Sequence, residues 1–116
     1  MNWLCFLFIS GICANELYLP QQIHLSYTNR SDEMMITWVT LLNPVIAQVK
    51  YSPATGFPRE LRTVSSTNIV RFIDGGPLQR SLFINRVLLR GLNHGEEYKY
   101  ICGTERYGWS DIYFFT

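Results

Sequence analysis

The chain has 116 residues, enough for one domain and too few for two. Hydrophobic residues make up 47% and charged residues 16%, so there is apolar surface enough to offset the chain entropy, which argues against disorder. Ten basic and nine acidic side chains leave a net charge of +1, and the arginines are scattered from Arg30 to Arg106 rather than clustered, which gives no footing to nucleic acid or an anionic membrane surface.

Residues 1–14 read Met-Asn-Trp-Leu-Cys-Phe-Leu-Phe-Ile-Ser-Gly-Ile-Cys-Ala, an uncharged apolar run that ends in small residues and is followed by the polar pair Asn15 and Glu16. That is the pattern of a secretory signal peptide, with cleavage expected after Ala14 and a mature domain over residues 15–116. No Lys or Arg precedes the run, and a buried amino-terminal strand or helix is the alternative. The run is shorter than the roughly 20 residues of a membrane span, and no later stretch reaches that length without charge. Cys5 and Cys13 would leave with the signal, so Cys102 is the only thiol expected in the mature chain and no internal disulfide can form. Cys102 alternates with two tyrosines and reads as a small core residue.

Ile23, Leu25 and Tyr27 alternate with His24 and Ser26, the period-two pattern of a half-buried strand. The polar stretch Thr28 to Glu33 follows as a turn and contains Asn29-Arg30-Ser31, a candidate glycosylation site at Asn29. Met34 to Thr40 is the next strand, with Ile36 and Trp38 on one face. Asn43-Pro44 breaks it. Ala47 to Ser52 is a third strand that puts Val49 and Tyr51 on one side and Gln48 and Lys50 on the other. Pro53 to Thr67 predicts a long loop with a short edge strand around Leu61 to Val64.

Asn68 to Ile73 reads as extended and ends at the turn Asp74-Gly75-Gly76-Pro77. Leu82 to Leu89 predicts a longer strand with Phe83, Asn85, Val87 and Leu89 on one face. Asn85 interrupts that apolar row, so it belongs either near an open end of the fold or in a buried hydrogen bond. Leu92-Asn93-His94-Gly95-Glu96-Glu97-Tyr98-Lys99-Tyr100-Ile101-Cys102 couples a leucine, a glycine turn and an alternating strand. A tyrosine near the start of such a strand hydrogen-bonds back across the corner between two sheets, and Tyr98 is placed to do so. Gly103 to Ser110 reads as a turn and Asp111 to Phe115 as the last strand. About seven antiparallel strands with frequent turns give an all-β fold, a fibronectin-III or immunoglobulin-like sandwich, whose core is expected to hold Trp38, Tyr51, Tyr98 and Tyr100.

The segments Pro20-Gln21-Gln22-Ile23-His24-Leu25-Ser26, Met35-Ile36-Thr37-Trp38-Val39-Thr40, Val49-Lys50-Tyr51-Ser52, Phe72-Ile73-Asp74-Gly75-Gly76 and Phe83-Ile84-Asn85-Arg86-Val87-x-Leu89 come in a recognisable order. They are followed by Leu92-x-x-Gly95-x-x-Tyr98-x-Tyr100-x-Cys102-Gly103 and Gly108-Trp109-Ser110. Order and spacing together closely resemble the amino-terminal, fibronectin-III-like domain of animal-type purple acid phosphatases, over residues 20 to 116. Asn85 stands where that family is expected to carry a histidine, one that belongs to the sandwich and is not a metal ligand.

The resemblance implies that an intact protein continues into a metallophosphoesterase domain. There, iron and a second divalent metal would be held by blocks such as Gly-Asp-x-Gly, Gly-Asp-x-x-Tyr, Gly-Asn-His-Glu and His-x-His, and phosphate monoesters would be hydrolysed at acidic pH. None of these blocks occurs here, so no family ligand is carried over and no catalytic, cofactor-binding or metal-binding residue is assigned. A two-metal site needs several convergent anionic or imidazole ligands. His24, His94, Asp32, Asp74 and Asp111 are dispersed and read as surface groups.

Cys102 and Ser110 have no sequence-level base partner for nucleophilic chemistry. Asp74-Gly75-Gly76 lacks the following helix of a phosphate-binding loop. The chain therefore reads as a noncatalytic sandwich of a secreted purple acid phosphatase. The competing readings are a free-standing extracellular binding module and a truncated gene product with no role of its own.

Overall fold

In a computed structural model, residues 17–55, 61–73, 75–76 and 81–116 are described. They form nine strands: β1 (Gln21–Tyr27), β2 (Met34–Thr40), β3 (Ala47–Pro53), β4 (Arg62–Ser66), β5 (Ile69–Ile73), β6 (Ser81–Leu89), β7 (Tyr98–Thr104), β8 (Gly108–Trp109) and β9 (Tyr113–Phe115). Residues 1–14, and Asp74 and Pro77 of the turn expected at Asp74 to Pro77, lie outside the described residues.

The strands build two antiparallel sheets, one ordered β1-β2-β6-β5 and the other β4-β3-β7 with β8 and β9 both paired to β7. Period-two alternation explains the packing. In β2, Met34, Ile36 and Trp38 point inward, and in β6 Val87 and Leu89 join them from the adjacent strand. From the facing sheet come Val49 and Tyr51 of β3 and Tyr98, Tyr100 and Cys102 of β7. Trp38 is 1% exposed and Cys102 0%, while Tyr51, Tyr98 and Tyr100 are 4–5% exposed. Phe115 completes an aromatic cluster, its ring centroid 5.5 Å from that of Tyr98 and 5.7 Å from that of Tyr100.

An additional short strand, β8, lies within the stretch Gly103 to Ser110 expected as a turn, and the strand expected over Asp111 to Phe115 is shortened to β9. Both share β7: β9 pairs with Tyr98–Tyr100 and β8 with Gly103–Thr104. Ser110 sits at the break, donating its amide to the Cys102 carbonyl at 2.8 Å while its Oγ accepts the Cys102 amide at 3.1 Å. A side chain thus replaces a backbone group in the ladder, satisfying both amides without a continuous strand.

The predicted edge strand is present as β4, starting one residue later and ending two later than expected, and β1 begins earlier than its alternation suggests. In β1 the register slips between Gln21 and His24, where Gln22 has φ of 52°. That bulge lets the first residues of the strand pair although they fall outside the apolar alternation. Ahead of it, Tyr18 stacks on Tyr107 with centroids 3.6 Å apart, and the Leu17 carbonyl accepts from the amides of Leu41 and Leu42, which ties the entering chain to one end of the sandwich.

Asn85 takes the second of its two options. It is fully buried, and its Nδ2 donates to the Phe83 carbonyl at 3.1 Å, to Thr40 Oγ1 at 3.1 Å and to the Trp38 carbonyl at 3.4 Å. Its Oδ1 is buried without a partner among the described residues. One amide therefore ties β6 to β2 from inside the core.

Candidate functional site

A linked set of hydrogen bonds lies where the β6–β7 corner meets the β1–β2 turn. Gly95, at φ of 81°, carries the chain round the corner, and Tyr98 opens β7 with its ring buried. The Asn93 amide donates to Tyr98 Oη at 2.8 Å, while Asn93 Nδ2 donates to Glu96 Oε1 at 2.9 Å. The Leu92 amide donates to the Asp32 carbonyl at 2.9 Å, which joins the corner to the turn. The bond from the Asn93 amide to Tyr98 Oη is the one across the corner expected of Tyr98. Tyr98→Phe keeps the ring but leaves the Asn93 amide without its acceptor, so it is expected to cost about 1–3 kcal/mol. The readout is the urea midpoint at unchanged slope; an unaltered midpoint would show that the corner does not depend on this bond.

A depression of about 290 Å³ opens beside the corner, lined by Tyr27, Glu33, Met34, His94, Tyr98 and Phe115 among others. Two glutamates line it: Glu96 Oε1 accepts from Asn93 Nδ2, and Glu33 is likewise engaged. Thr28 Oγ1 donates to it at 2.9 Å, and the Nε atoms of Arg30 and Arg90 lie 3.7 and 3.8 Å away. Asp32 is likewise occupied: its hydrogen bond from Arg30, with Nε at 3.1 Å, holds its carboxyl below the usual range and raises the guanidinium correspondingly. The arginines of these ion pairs are exposed, while Glu33 is half-buried, so the pairs order the turn more than they stabilise the fold. Asn29 is exposed in a bend of the same turn.

His24 lies on the exposed face of β1 with Nδ1 3.3 Å from the Gln22 carbonyl oxygen, His94 is exposed on the corner, and Asp111 is exposed between β8 and β9. Asp74 lies outside the described residues. The structure does not bring these side chains together. Among the described residues no group of three or more His, Cys, Asp and Glu side chains could hold a metal ion. This donor set does not fit a binuclear centre, and no catalytic step is assigned to it.

Cys102 is chemically quiet in this setting. Burial pushes its thiol from the ordinary 9.0 up to about 12, only partly offset by the hydrogen bond to Ser110 Oγ at 3.7 Å. Tyr100 is also pushed up to about 12, by burial first and then by the neighbouring Cys102 and Tyr113. Both groups are protonated in the fold at pH values where the unfolded chain has begun to release protons. Their contribution to stability is therefore complete below about pH 9 and is lost between there and about pH 12. Urea midpoints should hold level from pH 7 to 9 and fall above it, and a thiol reagent at pH 8 should label Cys102 only after unfolding. Rapid labelling of the folded chain would contradict the burial.

Residues 20–116 match the family described as the purple acid phosphatase N-terminal domain. The chain belongs to that family. Acid phosphatase type 7 of Mus musculus is 36% identical over 122 residues, a match covering 99% of this chain and 27% of the relative. Acid phosphatase type 7 of Homo sapiens is 36% identical over 115 residues, covering 93% of this chain and 25% of the relative. The chain thus spans about a quarter of the length of the curated relatives it matches. Among solved structures, a purple acid phosphatase isolated from yellow lupin (Lupinus luteus) seeds superposes with a TM-score of 0.63 at 19% identity, over 84% of this chain and 19% of that one. At that identity the likeness establishes the shared fold.

Within this purple acid phosphatase N-terminal domain, sequence reading placed Tyr98 at the corner but missed what the Gly-Trp-Ser block does. Gly108 has φ of 117°, Trp109 lies 4.8 Å beneath the Lys50 ammonium, and Ser110 closes the interrupted ladder. The signal available was two glycines, Gly103 and Gly108, on either side of a short polar turn; in the structure they face Trp109 and Thr104, and the Gly108 carbonyl fills the space a Cβ on Gly103 would take.

Proposed function

We propose that the chain is the noncatalytic amino-terminal sandwich of a secreted purple acid phosphatase. In this reading residues 1–14 direct export and are removed, residues 15–116 fold as the sandwich, and Asn29 carries a glycan. A metallophosphoesterase domain follows in the same protein and holds iron with a second divalent metal. The intact protein then hydrolyses phosphate monoesters at acidic pH. The observation that carries the reading is the family match over residues 20–116, joined to relatives named acid phosphatases that are about four times as long.

The division of labour has a physical rationale. Phosphoester hydrolysis by two metals needs a dense, convergent set of ligands to generate a hydroxide nucleophile. The sandwich spends its inward positions on apolar and aromatic side chains and leaves its histidines on separate surfaces.

The test compares the intact secreted protein with residues 15–116, using an aryl phosphate at acidic pH and added iron, zinc or manganese. Turnover is expected from the intact protein and none from the fragment. Turnover by the fragment, or none by a metal-loaded intact protein, overturns the assignment. Amino-terminal sequencing of the secreted product should begin at Asn15, and glycosidase treatment should change its gel mobility; an unchanged mobility removes the glycan at Asn29.

A further inference from the structure

The outer face of the β4-β3-β7-β9 sheet departs from what a solvated face requires. On an antiparallel sheet with one face in water, outward positions should be polar. Register places Ser52 beside Lys99 and Lys99 beside Phe114, while Lys50 neighbours Ile101 across β3 and β7. Leu61 just before β4 and Ile112 just before β9 flank these rows, and a shallow depression of about 300 Å³ is lined by Lys50, Leu61, Lys99, Tyr100, Ile101 and Ile112. Leu61 is 51% exposed, Ile112 62% and Phe114 56%. An exposed apolar patch with charge at its margin has the composition of an interface centre and its rim.

The two lysines differ. The Lys50 ammonium is 3.8 Å from Glu105 and lies over the Trp109 ring, so it is spoken for within the domain. Lys99 has no ion-pair partner among the described residues and stands between Ser52 and the exposed ring of Phe114. A complementary surface would offer apolar side chains with a carboxylate opposite Lys99.

Resting on the proposed function, we infer that this patch is where the portion of the protein following Thr116 docks. The first reason is continuity. Phe114 and Ile112 belong to the last strand and its approach, and Phe115 is buried, so the outgoing chain is held rigidly against this sheet up to its exit. Whatever follows is delivered beside the patch at high effective concentration and with little loop-closure entropy to overcome. The second reason is what the alternative lacks. Val70 and Phe72 are also exposed, but they lie on β5, the far edge strand of the other sheet, across the full width of the sandwich from β9.

Phe72 and Phe114 supply an internal comparison, being the same residue type at 51% and 56% exposure. Hydroxyl-radical footprinting of the intact protein should show oxidation of Phe114 and Ile112 lost while Phe72 stays oxidised. In residues 15–116 prepared alone, the two rings should react alike. Lys99→Glu in the intact protein should restore oxidation of Phe114. Equal modification of the two rings in the intact protein, whether both open or both covered, overturns the inference, as does protection of Phe72 alone. Phosphatase activity is read separately, so an inactive protein with Phe114 covered would count against the functional reading and leave the docking surface standing.

Discussion

Replacing Trp38 with alanine is expected to lower stability by about 3–5 kcal/mol, the range for deleting a large aromatic from a packed core. Trp38 is 1% exposed at the middle of β2, a strand flanked by β1 and β6, so neither neighbour can move in to fill the space without disturbing a hydrogen-bonded ladder. Its carbonyl is also one of the acceptors of Asn85 Nδ2, and Trp38 pairs with Asn85 in the β2–β6 register. The cavity and the polar tie are therefore neighbours, and relaxation around one strains the other. Because domains of this size are stable by only about 5–15 kcal/mol, the variant should sit near its unfolding threshold. Urea denaturation would show a large fall in midpoint with the slope retained. A fall no greater than that of the exposed Phe72→Ala would mean that Trp38 does not organise the core.

Gly103→Ala should be nearly as damaging for a different reason. Gly103 has φ of 143°, which L side chains rarely adopt, and an added Cβ would collide with the Gly108 carbonyl oxygen. The obstacle is backbone, so no rotamer change relieves it. Strain alone accounts for about 1–3 kcal/mol. Moving β8 away would also loosen the two hydrogen bonds between Cys102 and Ser110, each worth about 1 kcal/mol. The expected readouts are a lower urea midpoint and a Cys102 that reacts with thiol reagents before global unfolding. Gly75→Ala is the control, since a Cβ there meets nothing within 4 Å. Equal midpoints for the two variants would refute the close approach.

The two substitutions fall on opposite sides of what could be read without coordinates. Trp38 was legible because Ile36 and Trp38 share one face of a run whose β-branched residues favour extension, and the strand found there has the predicted bounds. The same holds for Val49 and Tyr51 in β3 and for Tyr98, Tyr100 and Cys102 in β7, where every second residue is apolar and buried. Tyr98 was legible as a corner because leucine, glycine turn and tyrosine are close in sequence and their hydrogen bond spans only five residues.

Gly103 was not, because the group that forbids its side chain is a carbonyl on the next strand. Nor could alternation choose between the options for Asn85, whose partners at Trp38 and Thr40 lie 47 and 45 residues away. By itself the sequence determined which residues extend, which way they face and which family the pattern resembles, since period-two alternation and turn chemistry act over a few neighbouring residues. Only the tertiary structure decided how β8 and β9 share β7 on either side of Ser110, what Asn85 binds, and which apolar side chains remain in water, because these depend on strands brought side by side from distant parts of the chain.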